Sequence, residues 1–212
     1  HVGWLCAASA MARKTGDAPH LIYLPEIPFD DNKFLEDVKE QLAQNPAVVI
    51  AISEGIKRAN GKYVNEDNGN AKVDAFGHMH MGGAGRVLED LINDNIECKV
   101  RCIDFSLMQR CAAHLASPVD LAESKILGAM SLSRALEGVS GEVSVLTRLS
   151  DTPYRVEYST VHATTIANLE KAIPREWINA RGNFVTDDLI RYVEPLLGVP
   201  FGEEGCAKHL SF

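Results

Sequence analysis

LIYLPEIPFDDNKFLEDVKEQLAQNPAVVIAI, residues 21–52, decides the fold. It opens on the apolar run Leu21-Ile22-Tyr23-Leu24 and turns at Pro25-Glu26. A short unbroken apolar run that ends in a turn signal fits a central strand of a parallel sheet. Asp30 or Asp31 can then cap a helix start, because a side-chain carboxylate there accepts from the first unpaired amides. Phe34, Leu35, Val38 and Leu42 recur at the spacing of one helical face, which predicts a helix to about Asn45. Residues 47–52, AVVIAI, are the most strand-like segment of the chain. Strand, helix and strand in this order make a βαβ unit. The predicted fold class is α/β: a doubly wound, mainly parallel sheet with helices on both faces.

Upstream, residues 1–14 carry Val2, Leu5, Cys6, Ser9 and Met11 among small alanines, the pattern of a buried helix, and Gly16 stops it. Downstream, Ser53-Glu54-Gly55 falls at the carboxyl end of the second strand, where open α/β sheets bind their ligands. Glu54 there can accept hydrogen bonds from sugar hydroxyls; the alternative is a loop glutamate that caps the next segment. Residues 57–72, KRANGKYVNEDNGNAK, are polar and rich in Asn and Gly and read as a surface loop or lid. His78 and His80 share one side of an extended chain, but no third ligand follows at a metal-site spacing, so no metal site is predicted. Gly82-Gly83-Ala84-Gly85 precedes a helix predicted over 83–93 and could present backbone amides to a phosphate, although it lacks the full phosphate-loop glycine pattern.

Residues 99–117, KVRCIDFSLMQRCAAHLAS, bring two arginines close together. Residues 101–105 alternate polar and apolar, which predicts a half-buried strand, with a turn over 106–109 and the next helix from near Ser117. Arg101 and Arg110 would then flank a strand end. A guanidinium stays charged and grips an anionic oxygen cluster at two points, so the pair makes a candidate phosphate pocket; surface salt bridges are the alternative. A helix follows over 120–137, with Leu121, Ile126, Leu127, Met130 and Leu132, closed by Gly138. Residues 142–148 and 155–162 read as two late strands about a turn at Asp151-Thr152-Pro153. Pro174, Trp177 and a helix over 186–197 form a C-terminal helical cap, with Trp177 a packing residue.

Composition narrows the function. The chain has 212 residues, 46% hydrophobic and 24% charged, as in an ordinary globular protein. A net charge of −8 argues against nucleic acid or an anionic membrane as partner, although local arginines can still hold a phosphorylated substrate. No apolar run approaches the ~20 residues of a membrane helix. Cys6, Cys98, Cys102, Cys111 and Cys206 are odd in number and lack a Cys-x-x-Cys pair, so they read as reduced thiols of a cytoplasmic protein.

Taken together, HVGWLCAASA, PHLIYLPE, VVIAISEG, DAFGHMHMGG, the Gln109-Arg110 run, IANLEKAIPREWIN and GNFVTDDLIRYVEPLLG resemble, in order, the motifs of the 6-phosphofructokinase family. The match covers nearly the whole chain. Gln-Arg-Cys-Ala-Ala-His and Pro-x-x-Trp-Ile are closest to its pyrophosphate-dependent branch. The resemblance implies phosphoryl transfer, with Mg²⁺, to the 1-hydroxyl of fructose 6-phosphate, giving fructose 1,6-bisphosphate. Glu54 would contact the sugar, Arg110 and Arg101 the 6-phosphate. Arg101 would reach the neighbouring subunit's site, which requires a homodimer or homotetramer.

Many family members carry His or Tyr three residues before the Gln-Arg arginine, as a donor to the 6-phosphate. This chain has Leu107, which only packs, so a different sugar phosphate such as sedoheptulose 7-phosphate stays open, with His114 the nearest alternative donor, though it reads as a cap for the next helix. The family also implies a Met-Gly-Arg motif just before His1, and a donor loop and catalytic aspartate further upstream. By this reading the chain is the C-terminal, sugar-phosphate half of such an enzyme and inactive alone. Residues 1–140 would form the substrate domain, and 141–212 the strands and helices returning to the donor domain. An ATP-dependent enzyme and a non-catalytic sugar-phosphate-binding or regulatory subunit are the alternatives.

Overall fold

The computed structural model describes residues 2–14, 16–66 and 83–197. The chain divides into two compact units, one of residues 1–106 and 171–190, the other of 107–170 and 191–212.

The first unit is built on β1 (Leu21–Tyr23) and β2 (Ile50–Ile52), which pair in parallel with Leu21 opposite Ile50 and Tyr23 opposite Ile52. The His20 amide bonds the Val49 carbonyl and the Ser53 amide the Tyr23 carbonyl, so the pairing runs a little past both ends. Between the strands lies α2 (Asp31–Gln44), whose start is capped by the Asp30 carboxylate, accepting from the Asn32 and Lys33 amides at 3.0 and 3.1 Å. Its Phe34 and Val38 are buried, with Leu35 and Leu42 packed beside them. Tyr23, Phe29 and Phe34 meet with ring centroids 5.2 to 5.5 Å apart, close to edge-on for the Tyr23 pairs. Such contacts add to area burial because ring edges carry positive charge density toward neighbouring faces.

Leu21 and Tyr23 belong to this cluster, whereas fully buried Ile22 points to the opposite face by the alternation of a strand. There α1 (Trp4–Ala8) approaches both strands. The α/β class, with a parallel pair and helices on both faces, is what the sequence predicts. Two details differ. The second strand is three residues long, leaving Val49 half exposed. Residues 1–14 are not one α-helix: α1 tightens into a 3₁₀ helix over Ser9–Lys14, and Ala7, Ala10 and Met11 go inside while Leu5 stays out.

Part of the predicted polar loop is pinned down. Val64 is buried, its amide bonds the Ile56 carbonyl, and Arg58 forks onto the Asp31 carboxylate at 2.9 and 3.0 Å. Residues 67–72 of that loop, His78, His80 and Gly82 lie outside the described residues. Returning chain completes the unit with buried Ile173, Ile178, Val185 and Leu189, and Trp177 packs edge-on against Trp4 at 6.1 Å. α6 (Asp187–Val193) gives way to a 3₁₀ turn over Glu194–Leu197. Pro195 explains the break with the predicted single helix, since it lacks the amide that the next α-turn needs.

In the second unit, α5 (Pro118–Leu136) is capped by the Ser117 hydroxyl, which accepts from the Asp120 amide at 3.1 Å, and is closed by Gly138 at φ +78°. Ser117, not His114, supplies that cap. β3 (Glu142–Asp151) and β4 (Tyr154–His162) form an antiparallel hairpin with a register break between Arg148 and Ser150. Arg134 of α5 holds Glu142 of β3 with two nitrogens at 3.0 and 3.1 Å. The Tyr154 hydroxyl donates to Glu123 at 2.6 Å, and the Arg148 guanidinium lies over the rings of Tyr154 and Tyr192. Leu121, Leu132 and Leu136 of α5 and Leu149 of β3 are each more than half exposed.

Candidate functional site

Glu54 emerges one residue past the last pairing bond, at the carboxyl end of the two parallel strands. Its Oε2 accepts from the Ala84 amide at 3.4 Å, at the first residue of α3 (Ala84–Asn95). The residue before that helix, Gly83, sits at φ +93°, a conformation glycine adopts without strain, and it has no side chain to cap with. α3 therefore takes its cap from the loop that follows β2, and the capping alternative for Glu54 is realised. A carboxylate also favours that position electrostatically, against the positive end of the helix dipole.

A cavity of about 580 Å³ lies beside β2 within the first unit. Phe34 and Val38 of α2, Leu88 and Ile92 of α3, Glu54 and Arg101 are among its walls. Glu54 and Arg101, far apart in sequence, thus line one space. Here the sequence expectation fails in one respect: residues 101–105 are not a strand. Cys98 and Val100 pack against the core, but Ile103 and Phe105 are 67% and 64% exposed. The chain is held instead at Cys102, whose Sγ would lie 2.5 Å from a Cβ on Gly85, so only glycine at 85 allows that approach. Desolvation pushes the Cys102 thiol up from its ordinary pKa, and neighbouring Arg86 pulls the other way.

The expected turn at 106–109 is a short helix, α4 (Ser106–Cys111). Leu107 and Arg110 are exposed on it, Leu107 to 72%. They belong to the second unit, Glu54 and Arg101 to the first.

Two acidic residues escaped the sequence reading. Glu26 follows β1 as Glu54 follows β2; its Oε1 accepts from the Gly3 and Ile173 amides at 2.9 and 3.2 Å, tying the start of α1 and the returning chain to the strand end. Burial, with the Glu26 charge second, pushes the Cys6 thiol up to about 12. Asp37 is buried within α2 and accepts from the Tyr23 hydroxyl at 2.9 Å, the Asn183 amide nitrogen at 2.8 Å and Arg181. The available signal was a charge at the face position between Phe34 and Val38. Among the described residues no three His, Cys, Asp or Glu come together to hold a metal ion. No described helix is long and apolar enough to cross a membrane.

A model of the phosphofructokinase family matches residues 1–131, well over half of the chain. The chain belongs to the phosphofructokinase family. Pyrophosphate–fructose 6-phosphate 1-phosphotransferase of Methylococcus capsulatus is 34% identical over 198 residues, covering 93% of this chain and 46% of that protein. The Xanthomonas campestris protein of the same name is 33% identical over 216 residues, 100% of this chain and 51% of its own length. Among solved structures, pyrophosphate-dependent phosphofructokinase from Marinobacter aquaeolei superposes with a TM-score of 0.74 at 27% identity, covering 93% of this chain and 45% of that one. The chain spans about half the length of the curated relatives it matches. Family and α/β fold are thus those that the motifs imply.

Proposed function

We propose that this chain supplies the sugar-phosphate-binding half of a pyrophosphate-dependent phosphofructokinase. The observation that carries the reading is the place of Glu54 beside a cavity at the carboxyl end of a parallel strand pair, in a chain of this family. The 1-hydroxyl oxygen of fructose 6-phosphate forms a bond to one phosphorus of pyrophosphate. The bridging P–O bond breaks, inorganic phosphate leaves, and the hydroxyl proton goes to a base outside these residues. The reaction depends on positioning and charge stabilisation more than on covalent chemistry by the protein.

In this reading Glu54 accepts from sugar hydroxyls and so fixes the ring. Arg110 holds the 6-phosphate, and Arg101 serves the 6-phosphate of a neighbouring copy's site, so the working form is a homodimer or homotetramer. Residues 1–140 act as substrate domain, and residues 141–212 return to a donor-binding domain of the kind the relatives' extra length provides. The exposed leucines of α5 and β3 support a further packed layer on the second unit. The enzyme works in the cytoplasm, on a soluble sugar phosphate.

The test has two arms. Calorimetry of the 212-residue chain with fructose 6-phosphate reads acceptor binding. Phosphorylation of fructose 6-phosphate by the longest native form, with pyrophosphate and then with ATP, reads the donor. Binding together with turnover on pyrophosphate supports the proposal. Turnover on ATP alone moves the enzyme to the other branch, and absence of sugar-phosphate binding refutes the assignment.

A further inference from the structure

The first two residues of α3 do separate jobs. Ala84 gives its amide to Glu54 Oε2 at 3.4 Å. Gly85, the next residue, gives up a side chain: a Cβ built there would lie 2.5 Å from the Cys102 Sγ and 3.9 Å from the Cys102 Cβ. Carbon and sulfur need at least about 3.5 Å, so a methyl at 85 would displace the thiol by about 1 Å. Nothing local asks for glycine here. The residue lies inside a helix and has no positive φ, and alanine is the better helix former. The glycine answers to Cys102.

The thiol matters for what stands beside it. Among the described residues 99–103 belong to no strand, so side chains set their course. Val100 packs against the core and Cys102 rests on Gly85, while Arg101 between them is exposed. Two anchored neighbours limit where its guanidinium can reach. The charges of Arg86, Glu89, Glu54 and Asp104 all act on the thiol, so the contact sits among the charged groups of the candidate site.

We propose that the contact of Gly85 with Cys102 positions Arg101 for the 6-phosphate, the bare second residue of α3 being the seat that sets how far the guanidinium extends. That role rests on the proposed place of Arg101 at a sugar phosphate and names the groups that hold it there. Gly85 and Cys102 are positioning residues and do not touch the ligand. One helix end then registers two charges, Glu54 through Ala84 and Arg101 through Gly85 and Cys102.

The contact can be exchanged between its partners. Gly85→Ala pushes the thiol away, and Cys102→Ala leaves a gap. Together they bring two Cβ atoms to 3.9 Å, an ordinary van der Waals separation, with a methyl close to where the sulfur was.

The test measures KM for fructose 6-phosphate and for pyrophosphate, kcat and the urea midpoint, in the form that turns over. Gly85→Ala should raise KM for fructose 6-phosphate about tenfold and leave kcat and KM for pyrophosphate within about twofold, because a misplaced guanidinium weakens one charge-assisted contact. Adding Cys102→Ala should return KM to within about threefold of the parent. In an Arg101→Ala background Gly85→Ala should change nothing further, a silence that a merely structural role would not produce. If Gly85→Ala does not fold, Cys102→Ala, which only removes atoms, carries the same comparison: a rise of about threefold that vanishes without Arg101.

An unchanged KM in Gly85→Ala overturns the proposal, since the thiol then turns aside and leaves Arg101 where it was. An effect that persists without Arg101 overturns it as well. An unchanged KM in Arg101→Ala alone refutes the sugar-phosphate role of Arg101, and the positioning with it, and is read independently of the other two results.

Discussion

Replacing Asp37 by alanine should be the most damaging polar change in the first unit, and its size follows from the contacts. The side chain is 5% exposed and accepts from three donors. Two of them, the Tyr23 hydroxyl and the Asn183 amide, are themselves buried, so alanine leaves both without an acceptor. A buried donor left unpaired costs about 1–2 kcal/mol. Arg181 is more than half exposed, so solvent already screens its pairing, and its loss adds no more than about 0.5 kcal/mol. The sum is about 3 kcal/mol, a large part of the ~5–15 kcal/mol that holds a domain together.

With a urea dependence of about 2 kcal/mol per molar, the unfolding midpoint should fall by about 1.5 M. Asp37→Asn keeps the shape and one acceptor oxygen, so it should lose about 1 kcal/mol. Urea titration followed by tryptophan fluorescence suits the test, since Trp4 and Trp177 pack together in the same unit. If both variants unfold within about 1 kcal/mol of the parent, the buried-donor argument is wrong. A spectroscopic check accompanies it: burial and then the Asp37 carboxylate hold the Tyr23 phenol well above its ordinary pKa, so Tyr23 should stay protonated when exposed tyrosines ionise.

Three further outcomes are expected. Glu54→Gln keeps an acceptor for the Ala84 amide and should leave stability within about 0.5 kcal/mol of the parent, while Glu54→Ala loses the cap and about 1 kcal/mol; both should weaken fructose 6-phosphate binding, measured by calorimetry, and a variant that binds normally removes Glu54 from the site. Arg110→Ala, in the form that turns over, should raise KM for fructose 6-phosphate by the equivalent of about 2–4 kcal/mol while KM for the donor barely moves; equal shifts would take Arg110 off the 6-phosphate. The Cys6 thiol is raised from 9.0 to about 12, so its neutral form is favoured by folding. That stability is complete below pH 9 and is lost as pH rises from 9 toward 12. Thiol-reagent labelling at pH 8 should accordingly modify exposed Cys111 and spare Cys6 until the chain unfolds.

The βαβ unit was legible because three independent signals agreed: the apolar run at 21–24, the Asp30 cap and the spaced face of α2. The hairpin of β3 and β4 was legible from alternation alone, although both strands run longer than their patterns suggested. The segment at 101–105 was misread because alternation reports which residues could share a face, not whether a neighbouring edge is there to receive them. Its actual anchor, Gly85 against Cys102, is a close approach that no local pattern announces. Asp37 was missed for a similar reason: three of its partners come from two other stretches of chain, and a lone aspartate on a helix face carries no mark of them. Glu54 was found by its place after a strand, but its bond to Ala84 depends on the fold.

That bond divides the labour of one carboxylate between its two oxygens. Oε2 is engaged by the end of α3, while Oε1 makes no hydrogen bond among the described residues. A glutamate normally gives up to about 2 kcal/mol of rotational freedom when a ligand immobilises it. Here the helix has already stilled the side chain, so a hydroxyl arriving at Oε1 meets an acceptor whose direction was set in advance, and the entropy of binding should show it as a smaller loss.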